Sequence, residues 1–226
     1  MITLQDIKND QVFQTLIKNS NATLKARGYT EHGLRHVSYV SHKTAEVLRD
    51  LGYDPRTVEL GAIAGYLHDV GNLFNRKHHS ISGATVVYNE LRRLGMDLEE
   101  ICTITTAIGN HEEEIGQAVS PVASALILAD KSDAHRTRAN RLEDDRRPGI
   151  HDRVNLAITD SKLYVDQQEQ TITLEISFDQ KICQIMDFFE IYLTRMEMCK
   201  EASTVLGCRF RLIINDLEFL GNLGSY

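Results

Sequence analysis

Residues 62–72 read AIAGYLHDVGN, and this stretch decides the fold. The surrounding segment 56–70 is apolar almost all round, which predicts a central helix buried by its neighbours. Small residues, among them Ala64 and Gly65, allow those neighbours to approach closely. His68 and Asp69 place two polar side chains at the end of this most buried helix, where an unpaired carboxylate would be costly.

Helical periodicity extends to about residue 145 and then gives way to alternation. The further predicted helices are 33–51, 79–95, 97–110 and 121–139, and the charged stretch 140–149 is typical of a linker. Beyond it we expect strands at 154–158 and 172–178, a helix at 180–206 and a strand at 209–214. The expected fold class is mainly α, with a helical bundle over 1–147 and a small α+β domain over 148–226.

Composition narrows the classes of function. The 226 residues carry a net charge of −7, which argues against binding a nucleic-acid polymer, because phosphate backbones need clustered lysine and arginine. The longest apolar run, 123–129, is too short to cross a membrane, and no export leader precedes residue 6. We therefore expect a cytoplasmic protein without a membrane partner. The four cysteines are scattered and do not have the spacing of a zinc site.

Histidine is concentrated in one part of the chain, since all nine histidines fall between His32 and His151. Helical spacing places several of them on inward faces; His111, for example, continues an apolar stripe that ends at Ile108. Each such residue alone is explained as a hydrogen-bonded core residue. Together, four histidines and two aspartates on successive helices predict a site for a divalent metal, and these are His36, His68, Asp69, His79, His111 and Asp130.

The order and context of these residues resemble the HD-domain superfamily of metal-dependent phosphohydrolases. The first histidine lies in EHGLRHVSYV (31–40), the doublet in AIAGYLHDVGN and the last aspartate in ALILADKSDA (125–134). His79 in HSISGA and His111 in AIGNHEEE are similar to the dinuclear branch that includes bacterial diadenosine tetraphosphate hydrolases. The resemblance covers about residues 28–140.

This resemblance implies a helical HD-domain bundle and a ligand set. The primary metal site would be formed by His36, His68, Asp69 and Asp130. Asp69 would also bridge to a second ion held by His79 and His111. The cofactor would be one or two divalent ions of iron, manganese, nickel, zinc or magnesium, among which these ligands do not distinguish. Asn72 departs from the family pattern, since many members have a phosphate-binding lysine there.

Candidate catalytic and substrate-binding residues surround the ligands. We expect Asp69 to hold the attacking water as well as the metal, and Asp133 to accept a proton or orient a ligand. Asp133 also fits an exposed acid that pairs with Arg136. A phosphate needs cations as well, and the candidates are Arg76, Lys77, His78, Lys131 and Arg136. For the cations after residue 130 the alternative is a solvated basic face, and the acidic run 112–114 is interpreted as a solvated loop.

The predicted function is that of a metal-dependent phosphohydrolase acting on a small phosphate ester, a nucleotide or a dinucleotide. One alternative is an oxygen-activating di-iron enzyme on the same scaffold, which the histidine-rich ligand set also permits. Another is a metal- or nucleotide-binding regulatory protein that has lost catalysis with the change at Asn72. The small carboxy-terminal domain holds no cluster of catalytic residue types, so we expect it to support the bundle, form a homodimer or bind a regulatory ligand.

Overall fold

Capping residues delimit the helices of the amino-terminal part of the chain. The computed structural model describes residues 1–29, 32–136 and 149–220. Asp54 and Ser120 accept hydrogen bonds from first-turn amides of helices that begin with a proline, whose missing N–H is not needed there. A 3₁₀ turn, Val70–Leu73, follows the fourth helix. The helices are α1 (Leu4–Asn9), α2 (Gln11–Ala26), α3 (Leu34–Asp50), α4 (Pro55–Leu67), α5 (His79–Arg93), α6 (Leu98–Gly109) and α7 (Pro121–Ser132).

The carboxy-terminal part combines two helices with a four-stranded sheet. Its elements are α8 (Ile150–Ala157), β1 (Ile158–Asp166), β2 (Thr171–Phe178), α9 (Ile185–Val205), β3 (Arg209–Ile214) and β4 (Leu217–Leu220). In the order β1-β2-β3-β4 the central pair is parallel and the outer pairs are antiparallel, so α9 serves as the crossover between β2 and β3. The expected fold class is confirmed. Among the described helices, none is both long and apolar enough to span a membrane.

Helix α4 lies at the centre of the structure and contacts α3, α6 and α7. Its small residues let α3 come close, as the sequence predicts. Helix α7 in turn contacts α9, whose Phe188 and Met196 are fully buried. The carboxy-terminal part therefore shares one hydrophobic core with the helices. The predicted domain boundary at 147–148 lies outside the described residues and stays a prediction.

The strand predicted at 154–158 is wrong over most of its length. Val154 and Leu156 belong to α8, and β1 begins only at Ile158. Val154, Ala157 and Ile158 are buried, and their intervals of three and four residues are those of a helix. An alternation of only three apolar residues is too short to distinguish a strand from a helix turn.

Two helix ends also differ from expectation. The helix predicted at 121–139 ends at Ser132, because the backbone leaves helical geometry at Asp133. Residues 137–139 and the predicted linker up to residue 148 lie outside the described part of the chain. Helix α9 begins at Ile185 rather than at 180, after a turn in which the Ile182 amide bonds the Asp179 carbonyl. The short strand β4 is not predicted by the sequence pattern.

The close approach of α3 and α4 generates a prediction. A methyl group at Gly65 would lie 2.8 Å from the Cα of Ser41, so Gly65→Ala must push the two helices apart. We expect the free energy of unfolding, measured by urea denaturation, to fall by about 1–3 kcal/mol. Gly109→Ala is the matched control, because its methyl group would meet nothing closer than Ala84 at 3.8 Å. Equal effects of the two substitutions would contradict the close approach.

Candidate metal centre

Four histidines meet where the ends of several helices converge. His36 lies in the first turn of α3, His68 directly follows α4, His79 begins α5, and His111 follows α6. All four are buried, with at most 2% of each residue exposed. Because each ring is attached at or next to the end of a packed helix, the scaffold holds it rigidly.

Hydrogen bonds at Nδ1 fix the orientation of the rings. In His68, His79 and His111, Nδ1 lies 2.6–2.9 Å from the backbone carbonyl oxygen three residues earlier. A carbonyl oxygen only accepts, so Nδ1 carries the proton and Nε2 keeps its lone pair in the neutral ring. This second hydrogen bond is typical of histidines that bind metals through Nε2.

The Nε2 atoms converge in two pairs. They are 3.2 Å apart in His36 and His68, and 3.1 Å apart in His79 and His111. Two lone pairs at this distance repel each other unless a proton or a cation lies between them. Ligand nitrogens about 2.0–2.1 Å from a tetrahedral ion are about 3.3 Å apart, so both separations fit ligands of a shared ion.

The carboxylate of Asp69 lies between the two pairs. Its Oδ2 is 3.5 Å from His36 Nε2 and 3.4 Å from His68 Nε2, while its Oδ1 is 3.3 Å from His79 Nε2 and 4.0 Å from His111 Nε2. Oδ2 is buried and has no hydrogen-bond partner among the described residues. A buried carboxylate oxygen without a donor is costly, and a metal ion at this place would satisfy it.

Asp130 completes the first set of candidate ligands. Its Oδ1 lies 3.4 Å from His36 Nε2 and 3.6 Å from His68 Nε2, and its Oδ2 accepts a hydrogen bond of 2.6 Å from Lys131. Burial alone would raise the pKa of Asp130, but the charge of Lys131 and the histidines hold it well below its usual range. The donor atoms of His36, His68 and Asp130 lie within 4.8 Å of one another, as metal ligands must. The residues therefore fit a divalent metal.

The pKa shifts around the second histidine pair, His79 and His111, agree with a site that holds a cation. Burial alone would raise the pKa of Asp69, but the neighbouring histidines hold it well below its usual range. Burial opposes protonation of His79, yet hydrogen bonds to Asp69 and Glu112 raise its pKa to about 9. Burial, and then the charge of His79, lower the pKa of His111 to about 3. Positive charge is thus stabilised between the two rings while the His111 ring stays neutral.

A second layer of side chains holds His36 in place. Its Nδ1 lies 2.6 Å from Oδ2 of Asp133, and Arg35 donates hydrogen bonds to both oxygens of Asp133, at 3.1 and 2.7 Å. Asp133 is only 4% exposed, so the expectation of an exposed acid that pairs with Arg136 is wrong. Its position behind the imidazole fits the alternative that it orients a ligand.

The acidic residues after His111 are also built into the site. Glu112 is buried, and its Oε2 accepts a 2.8 Å hydrogen bond from Ser80 and lies 3.4 Å from Nδ1 of His79. Oε1 of Glu113 pairs with Lys131 at 3.1 Å. The interpretation of 112–114 as a solvated loop is therefore wrong for the first two residues. Such partners come from distant helices, and no local pattern indicates them.

Asn72 contacts the central carboxylate. It is fully buried, and its side-chain amide donates to Oδ1 of Asp69 at 2.8 Å and to the Asp69 carbonyl at 3.1 Å. Its own oxygen lies 3.4 Å from Nη1 of Arg76. Asn72 therefore fixes the orientation of the Asp69 carboxylate.

A cavity of about 590 Å³ opens onto Asp69, His79 and Asp130. Two of the predicted substrate-binding residues, Arg76 and Lys131, line this cavity. The structure does not bring the other three to it, because their side chains are exposed elsewhere; these are Lys77, His78 and Arg136. His78 has a left-handed backbone with φ of 59°, and only its amide, bonded to Glu112, faces the site.

Residues of the carboxy-terminal part form one wall of the cavity, and almost nothing in the local sequence pattern indicates this. Tyr192 and Arg195 of α9 and Asn155 of α8 line it. The one available signal is the interval of three residues between Tyr192 and Arg195, which puts both on one face of the helix. His32, also in the lining, lies edge-on to His36 with ring centroids 5.4 Å apart.

Comparisons with known proteins agree with this arrangement. Residues 33–135 match the family model described as HD domain, and the matched segment contains all six candidate ligands. Over 162 residues the chain is 29% identical to an uncharacterized protein of Methanocaldococcus jannaschii, covering 62% of this chain and 61% of that protein. This chain thus spans about three fifths of the length of that relative. The assignment to the diadenosine tetraphosphate branch stays a prediction.

A solved structure is also similar. It is a predicted HD superfamily hydrolase from an uncultured Thermotogales bacterium, with 21% sequence identity and a TM-score of 0.44. The alignment covers 58% of this chain and 68% of that chain.

The buried contact between Asp133 and His36 generates a prediction about metal affinity. Asp133→Asn keeps the shape of the side chain but removes the charge that orients the ring, so we expect the affinity for Mn²⁺ to fall about 10- to 100-fold. His68→Ala should remove bound metal altogether while circular dichroism stays that of a folded protein. Titration with Mn²⁺ measures the affinity, and elemental analysis measures the bound metal.

Asp160→Asn is the control for this experiment, because Asp160 forms a half-exposed pair with Lys162 away from the cluster. It should bind metal as the unaltered protein does. Unchanged metal content in His68→Ala would show that the ligands have been assigned wrongly.

Proposed function

We propose that this chain is a metal-dependent phosphohydrolase that cleaves a small phosphate ester, a nucleotide or a dinucleotide. The observation that carries the proposal is the carboxylate of Asp69, whose two oxygens face separate pairs of imidazole nitrogens at 3.3–4.0 Å. One divalent ion would be held by His36, His68, Asp69 and Asp130, and a second by Asp69, His79 and His111. Such ions lower the pKa of water and neutralise phosphate charge.

The residues around the cluster have separate tasks in this proposal. Asp69 orients the attacking water, and Asn72 keeps its carboxylate turned toward the histidines. Arg76, whose side chain is 30% exposed and whose Nη1 lies 4.0 Å from Asp69 Oδ1, receives a phosphate oxygen beside the cluster. Asp133 acts through His36 and does not touch the substrate.

The lining of the cavity favours phosphate hydrolysis over the alternatives. An oxygen-activating di-iron enzyme would use the same ligands, but it would have no need for the four basic side chains that line the cavity, Arg27, Arg76, Lys131 and Arg195. Carboxylates line the cavity as well, among them Glu114 and Asp152, so an anionic substrate would bind at the arginines rather than across the whole cavity. The regulatory alternative rests on Asn72 as a sign of lost catalysis. The bond from Asn72 to Asp69 argues against it, because that asparagine supports the cluster.

A substrate screen tests the proposal directly. The protein is purified anaerobically, supplied with Mn²⁺ or Fe²⁺, and incubated with p-nitrophenyl phosphate, bis(p-nitrophenyl) phosphate, nucleotides and dinucleoside polyphosphates. We expect release of phosphate or a nucleotide from at least one substrate. Asp69→Asn should lower kcat by about 100-fold or more, since loss of supporting residues alone costs 10- to 100-fold. Asp160→Asn should be as active as the unaltered protein.

Oxygen consumption under the same conditions separates the two enzyme classes. Uptake of oxygen that depends on substrate, without phosphate release, would contradict the proposed hydrolase and favour the di-iron alternative. Binding of metal and nucleotides with neither reaction would favour the regulatory protein.

We also propose that α9 forms part of a homodimer interface. Ile182 just before α9 and Met186 and Leu193 within it are 42%, 68% and 50% exposed, and Phe189 between them packs on Phe219. These positions recur at intervals of three and four residues, so they form one apolar stripe on the surface. Burial of this stripe against a second copy would remove it from water.

Sedimentation equilibrium checks the homodimer. We expect the unaltered chain to sediment as a dimer, and Met186→Glu with Leu193→Glu to sediment as a folded monomer, because two charges on each copy would be buried. Ile81→Glu is the matched control, since Ile81 is 52% exposed on α5 away from the stripe. A monomeric unaltered protein would refute the interface.

A further inference from the structure

Helix α9 supplies a basic residue to the cavity that holds the metal ligands. Arg195 lines the same cavity of about 590 Å³ as Asp69, His79 and Asp130. It belongs to the carboxy-terminal part of the chain, which lies beyond the segment that matches the HD domain. The cavity is therefore completed by residues outside that domain.

Two contacts hold the guanidinium of Arg195 in place. Its Nε lies 2.9 Å from Oε1 of Glu113, and its plane lies over the ring of Tyr192, with 4.7 Å from Cζ to the ring centroid. Tyr192 is buried and its hydroxyl donates to Asn155 at 3.0 Å. The Arg195 side chain is 28% exposed and lines the cavity. A guanidinium that is anchored through Nε and stacked on one face can present its terminal NH₂ groups to a planar anion there.

Arg195 is linked to the metal ligands through alternating charges. Oε1 of Glu113 contacts both Arg195 and Nζ of Lys131, at 2.9 and 3.1 Å, and Lys131 in turn donates to Asp130 at 2.6 Å. Two carboxylates thus balance two cations along this chain. Arg195 is its outermost cation and lies on the side of the cavity formed by α9.

The other arginines of the cavity come from different parts of the fold. Arg76 lies beside Asp69, and Arg27, just after α2, donates from Nη1 to the neutral side chain of Asn75 at 3.1 Å. Among the described residues, Arg27 has no carboxylate partner. Three arginines from three separate segments line the cavity next to the candidate ligands, and arginine is well suited to bind phosphate groups.

We propose that Arg195 binds a second anionic group of the substrate, distinct from the phosphate at the His/Asp cluster. The inference rests on the proposed function of the cluster. It narrows the substrate class to compounds with at least two adjacent anionic groups, such as nucleoside polyphosphates or dinucleoside polyphosphates. Arg195 then determines specificity between these compounds and simple monoesters.

Calorimetry with two non-hydrolysable probes tests this assignment independently of turnover. Methylenediphosphonate carries two phosphonate groups and methylphosphonate carries one, and each is titrated into the manganese-loaded full-length protein. We expect Arg195→Gln to weaken binding of the diphosphonate about tenfold or more, because a charge-assisted hydrogen bond is lost. Binding of methylphosphonate should change by less than about threefold, a difference within ordinary effects of a surface charge. Arg195→Lys should recover part of the lost affinity.

Arg211→Gln is the matched control, since Arg211 lies on β3, pairs with Glu218 and is absent from the cavity lining. It should bind both probes as the unaltered protein does. Equal loss of both probes in Arg195→Gln, or no loss of either, would overturn the assignment. If the protein binds the diphosphonate through Arg195 but hydrolyses no phosphate compound, the proposed function fails and the anion site stands.

Discussion

The rest of this structure depends on the buried carboxylate of Asp69. It is almost fully buried, and each of its oxygens faces a pair of imidazole nitrogens from different helices. A buried charge of this kind is stable only when cations or hydrogen bonds surround it. The converging histidines, the amide of Asn72 and the space for a metal ion meet that requirement together. The fold can therefore be understood as the arrangement of helix ends that keeps these atoms within a few ångströms.

Close backbone contacts make this convergence possible. Gly65 lets α4 lie directly on α3, which brings His68 to His36. Gly71 plays the same part for α5: a methyl group there would overlap the carbonyl oxygen of His79. Larger residues at either position would separate the two histidine pairs from Asp69. The small residues that predict a buried central helix are thus also the residues that set the dimensions of the site.

The convergence of the candidate ligands could be predicted from the sequence because each of these residues belongs to a local pattern. Helical spacing puts His111 on an apolar face without any knowledge of its neighbours. The supporting residues depend instead on contacts between distant segments. Arg35 and Asp133 are 98 positions apart, and Asp133 looks like an exposed acid until α7 ends and turns it inward. The expectation that His78 lies beside the substrate differs from the structure for the opposite reason. His78 is next to a candidate ligand in sequence, but its backbone is left-handed and its side chain is exposed.

The topology of the carboxy-terminal part adds residues to the cavity, and local sequence patterns do not reveal this addition. Parallel pairing of β2 and β3 requires a connection that returns to the same end of the sheet, and α9 is that connection. Because α9 packs on α7, which ends next to Asp130, the crossover passes beside the candidate metal ligands. Arg195 reaches the cavity for this reason. The same packing that buries Met196 in the shared core places a cation at the cavity wall, so loss of the sheet would disturb the core and the cavity together.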